Sequence, residues 1–87
     1  MNKSNNYGGA TASVTTANTE LSARNNDRNA LILFNQGPED VRVFMDSADT
    51  NYFVLEANKG IHFPTAPQNQ VQAKTASGTA TVSVLEA

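Results

Sequence analysis

Polar turn clusters interrupt this chain about every ten residues, and the stretches between them have the length of β-strands rather than helices. Arg24-Asn25-Asn26-Asp27-Arg28-Asn29 is one cluster, Asn35-Gln36-Gly37-Pro38-Glu39-Asp40 a second, and Asp46-Ser47-Ala48-Asp49-Thr50-Asn51 a third. Asn58-Lys59-Gly60 reads as a tight turn, with Gly60 free to take positive φ. After Pro64, Thr65-Ala66-Pro67-Gln68-Asn69 is a stiff, non-helical connection, and Ser77-Gly78 turns the chain once more. No window carries helical periodicity of useful length.

The intervening segments have strand patterning. Residues 11–17 are rich in β-branched side chains and low in hydrophobicity, as an edge strand would be, and 19–23 continue it beyond Asn18. Ala30-Leu31-Ile32-Leu33-Phe34 is the strongest apolar run, and its length predicts a central strand covered on both faces. In residues 41–46, Val41, Val43 and Met45 point one way; Arg42, Phe44 and Asp46 point the other. Residues 52–56 form a further strand with Phe53 and Leu55 inward, and Ile61-His62-Phe63 a short one stopped by Pro64. Val71 and Ala73 face inward in 70–74, as do Ala80, Val82 and Val84 in 79–85. The whole predicts an all-β protein: a small antiparallel β-sandwich, jelly-roll or immunoglobulin-like, of about seven or eight short strands. Residues 1–10, ending in Gly8-Gly9-Ala10, read as a flexible N-terminal arm, with 11–87 as the single sandwich domain.

At 87 residues the chain buries only roughly 60–65% of the surface its unfolded form exposes. It has no cysteine, so neither a disulfide nor a thiolate metal site can supplement that thin core. Association with another copy or a partner is the remaining supplement. Six Lys and Arg residues are scattered without a basic block, and the net charge is −2, which argues against nucleic acid as a partner. Charged residues make up 16% of the chain, well under the usual quarter, and Asn, Ser, Thr, Gln and Ala fill the surface instead. No apolar run reaches membrane-spanning length, and the first residues lack the hydrophobic stretch of a secretory signal, so neither a membrane nor a secretory route is expected.

The residues do not assemble a reaction centre. His62 is the only histidine, and alternation with Ile61 and Phe63 turns it to solvent, away from any dyad or metal cluster. Asp46, Asp49 and Asn51 share a loop, but it lacks the glycine and distal glutamate of a calcium loop and reads as an ordinary polar turn. Gly8-Gly9 neither follows a strand nor opens a helix, so there is no phosphate loop. No catalytic residue, cofactor or metal is therefore expected. The candidates for contact with a partner are Tyr7 as anchor of the arm, Val14 on the edge strand, and Phe44 with Tyr52, which would share an outer face and offer an aromatic platform to a subunit or a glycan.

Two stretches carry a resemblance. The first is Arg28-Asn29-Ala30-Leu31-Ile32-Leu33-Phe34-Asn35-Gln36-Gly37, and the second is Gly78-Thr79-Ala80-Thr81-Val82-Ser83-Val84-Leu85-Glu86. Between them lie the Val41–Phe44 and Phe53–Leu55 strands, Gly60 and Ala66-Pro67. In this order, over residues 24–86, the chain resembles the small β-sandwich proteins encoded among the virion structural genes of tailed bacteriophages. Those chains open on Arg-x-x-Leu-x-Ile/Leu-x-Asn-x-Gly and close on Gly-Thr-x-x-Val-x-Val-x-Glu. The resemblance brings no catalytic residues. It implies a structural role on the virion after synthesis in the host cytoplasm: a capsid decoration or cement protein, or a tail, neck or fibre component. The implied partners are the major capsid protein or other virion proteins, and further copies of itself, with a trimer favoured.

Overall fold

Alternating side chains can be buried only if two sheets close over one another, and the chain does this with eight strands. The structure is a computed structural model and describes residues 8–46, 51–63 and 67–87. The strands are β1 (Gly8–Val14), β2 (Thr19–Ser22), β3 (Leu31–Pro38), β4 (Val41–Met45), β5 (Phe53–Leu55), β6 (Lys59–Phe63), β7 (Val71–Thr75) and β8 (Ala80–Glu86). They form two four-stranded antiparallel sheets, ordered β1-β8-β3-β6 and β2-β7-β4-β5. First pairs with eighth, second with seventh, third with sixth and fourth with fifth. This is one long hairpin rolled across a sandwich, the strand order of a jelly roll. It decides between the two sandwich types the sequence allowed.

The core is the inward half of each alternation. Leu31, Leu33, Val82 and Val84 from one sheet meet Val41, Val43, Leu55, Val71 and Ala73 from the other. Met45, Phe53, Ile61 and Phe63 pack at its margin, and the Phe53 and Phe63 rings lie 6.1 Å apart in a tilted pair that joins the sheets.

Four expectations are corrected. The first strand starts earlier, because Gly8, Gly9 and Ala10 pair with Glu86, Leu85 and Val84; part of the expected arm is sheet. It also ends at Val14, short of residue 17. The third strand runs on through Asn35-Gln36-Gly37-Pro38, a cluster that reads locally as a turn, because Asn35 and Pro38 both pair with β8 across a register shift. That strand is covered on one face only: Leu31 and Leu33 are buried, whereas Phe34 is exposed. Finally, positive φ falls on Asn58 (64°), while Gly60 is inside β6 beneath Phe34. Lys59 N–H donates to the Glu56 carbonyl at 3.1 Å and Asn58 N–H to the Asn35 carbonyl at 2.7 Å, so positive φ falls two residues earlier than expected.

Candidate functional surface

The outward half of the β1-β8-β3-β6 sheet carries the surface feature that asks for a partner. Ile32 pairs directly with Leu85, and Phe34 lies two residues along the same face. Phe34 is 41% exposed and Leu85 is 40% exposed. Both side chains lie flat over neighbouring glycines. A Cβ placed on Gly9 would stand 2.8 Å from Leu85 Cδ2, and one on Gly60 would stand 3.1 Å from Phe34 Cδ1. The glycines let these apolar side chains spread sideways over β1 and β6, which widens the patch. His62 is exposed beside Ile32, to which it is register-paired, in agreement with the alternation argument. Ser83 and Gln36, hydrogen-bonded to each other, close the far side of the patch with polar groups.

Of the four residues proposed from sequence as partner contacts, the structure brings together only Phe44 and Tyr52. Tyr7 lies outside the described residues. Val14 is fully buried: at the inner end of β1 it points between the sheets and belongs to the core. Phe44 sits on the outward phase of β4, yet it is 1% exposed and lies outside the core cluster. Alternation assigns a face, but burial depends on what covers that face, so Phe44 is no surface anchor. Only Tyr52 is exposed, and the Arg42 guanidinium carbon stands 4.9 Å from its ring centroid. Phe44 and Tyr52 do line one shallow, open cleft with Val43, Met45, Asn51 and Phe53. Without an exposed Phe44, this cleft lacks the two-ring platform a glycan would stack on.

The polar chemistry is spent on holding loops. Arg28 is buried and donates from all of its nitrogens. Nε bonds Glu86 Oε1 at 2.8 Å, Nη1 reaches the Pro67 and Asn69 carbonyls, and Nη2 reaches Ser22 Oγ and the Ala23 carbonyl. Ser22 Oγ accepts from Arg28 and donates to the same Glu86 oxygen at 2.8 Å. Asp46 receives Asn69 Nδ2 at 2.9 Å and faces Arg24 at 3.6 Å, so it serves as a loop tie; Asp49 lies outside the described residues. Among the described residues no group of three or more His, Asp or Glu side chains converges as a metal site, and no buried side-chain polar atom lacks a hydrogen-bond partner. No helix among them is long and apolar enough to cross a membrane.

The exposed patch was readable only in part from sequence. The apolar run 30–34 was evident, but which of its residues stay in the open depends on what the rest of the chain places over that sheet, and none of the described residues covers it. No protein-family model, curated protein or solved structure matches the chain.

Proposed function

We propose that this protein is a bacteriophage virion structural protein, in the first place a capsid decoration or cement protein that binds the outer head surface as an oligomer and catalyses nothing. The observation that carries the reading is the Ile32–Phe34–Leu85 patch on a sheet face that nothing covers among the described residues. Contiguous apolar surface rimmed by polar side chains marks a protein contact. A protein that binds many equivalent places on a shell needs interface area more than pockets. Low surface charge supports the same reading, because it leaves association to shape and apolar contact rather than to salt-sensitive attraction. A jelly roll serves many functions, including those of capsid and lectin domains, so the fold alone does not carry this reading.

Cosedimentation of the purified protein with undecorated shells tests it. Saturable binding is expected, and Phe34→Ser should weaken it at least tenfold while the melting temperature stays within a few degrees, because Phe34 is outside the core. Equal binding by the variant would remove the patch from the interface. Particles lacking the gene but showing an unchanged shell surface by cryo-EM would remove the decoration role. A tail or neck location is the alternative, and labelled copies on the virion would reveal it.

A further inference from the structure

The sandwich has four sheet edges, and three of them are defended against pairing with another chain. β2 has four residues, a register shift between Glu20 and Ser22, and the charge of Glu20. β5 has three residues. β6 begins on Lys59 and is followed directly by Pro64. Short strands, bulges, charges and prolines are the devices that blunt an edge.

β1 has none of them. Gly8–Val14 runs seven residues in unbroken register against β8, without a charged residue or a proline. Its outer side is a row of backbone groups with no strand beside it among the described residues. The core layer also stops unfinished there. The inward row Ala10–Val84–Leu33–Ile61 is buried at Val84 and Leu33 but exposed at Ala10, and Ala12 is only half-buried. An open cleft lies alongside, between Gly8–Ala10 and Leu21–Ala23.

We infer that β1 pairs antiparallel with β1 of a second copy, about a two-fold axis at Thr11, to make one continuous eight-stranded sheet. Centring on Thr11 uses the whole strand. It sets Thr11 opposite Thr11, Ala10 opposite Ala12, and Gly9 opposite Ser13. No charge meets its own copy, and small side chains let the backbones approach on both faces. The two-fold axis stands perpendicular to the sheet, so outward faces stay outward, and the Ala10 row of one copy continues into the Ala12 row of the other. A second copy is favoured over a foreign chain because the edge is complementary to itself in length, register and neutrality. Seven residues span only about 23 Å, so the interface lies at the small end and dissociates at micromolar concentration. The pairing stands independently of the decoration reading, and it is distinct from the three-fold cluster expected from the phage resemblance.

Sedimentation of the full chain over a concentration series tests it. A monomer–dimer equilibrium is expected. Thr11 is exposed, so Thr11→Lys and Thr11→Glu should each fold. Each alone should dissociate at least tenfold more readily, and an equimolar mixture should recover the dimer. A second measurement fixes the register. The chain has no cysteine, so Thr11→Cys can oxidise only to its counterpart in another copy. Opposed Cα atoms at about 4.5–5.5 Å suit a disulfide. Rapid cross-linking to a dimer is expected there and not for Val54→Cys on the opposite sheet. A wild-type chain that stays monomeric at several hundred micromolar, a trimer, or a dimer indifferent to Thr11→Lys would each overturn the proposal.

Discussion

Replacing Arg28 with methionine is expected to lower the melting temperature by more than about 12 °C. The side chain is fully buried, and its guanidinium joins three segments that are far apart in sequence: the 22–23 strand end, the 67–69 connection and the C-terminal strand. Methionine keeps the length of the stem and removes every donor. The Glu86 carboxylate, 35% exposed, then loses its ion pair, and the Ala23 and Asn69 carbonyls lose a charged donor at part-buried sites. Breaking a buried ion pair costs about 3–5 kcal/mol, and for a domain of this size each kcal/mol is worth roughly 4–8 °C. Partial exposure of Glu86 pulls the expectation toward the lower figure. Arg28→Lys should recover only a small part, since an ammonium has three donors on one point and cannot reach three directions as a planar fork does. Differential scanning calorimetry decides: a methionine variant melting within about 2 °C of the parent would mean the cluster is not a source of stability.

Asn35→Leu should shift the urea midpoint down by about 2 M, with an unchanged slope. Asn35 is fully buried in the middle of an otherwise apolar layer. Its Nδ2 donates to the Glu39 carbonyl at 2.8 Å and the Leu55 carbonyl at 2.9 Å, and its Oδ1 accepts from the Gly37 N–H at 2.8 Å. One amide therefore closes the β3–β4 connection and ties β3 in one sheet to β5 in the other. Leucine fills the same space, so no cavity confuses the measurement. What remains is three backbone groups stripped of partners, at about 1–3 kcal/mol for a buried group left unsatisfied. Asn35→Asp is the sharper test. It conserves shape and leaves the Gly37 bond possible, but a carboxylate would face two carbonyl oxygens where the amide had donors. It should be at least as destabilised as the leucine variant. A midpoint close to the parent for both would show that water or a rearranged loop replaces the side chain.

These two residues also belong to the motif positions on which the expected resemblance rests. Those positions are Arg28, Leu31, Leu33, Asn35 and Gly37 at the opening, and Gly78, Thr79, Val82, Val84 and Glu86 at the close. Arg28 and Glu86 are ion-paired, and Leu31, Leu33, Val82 and Val84 are core. Asn35 and Gly37 are hydrogen-bonded to each other, and Gly37 and Gly78 take positive φ. In this chain, therefore, most of those positions hold the sandwich together. The surface patch is a different set of residues on the same strands.

By itself the sequence determined the class of fold, the approximate place of most strands, and the inward faces of β4, β5, β7 and β8, because a period of two is written into neighbouring residues and needs no distant partner. Pairing was beyond it. The extension of β1 to Gly8 and the passage of β3 through an apparent turn both depend on β8, roughly forty to eighty residues away in the chain, and the order of each sheet likewise depends on distant strands. Polar residues gave the least away. Arg28 and Asn35 sit in segments that look like ordinary turns, and only the closed sandwich shows that both are buried and fully bonded. Burial is a property of what the rest of the chain places around a residue. For the same reason only the tertiary structure decided that Val14 and Phe44 are hidden, that Phe34 and Leu85 are left in the open, and that one of the four sheet edges stands undefended among the described residues.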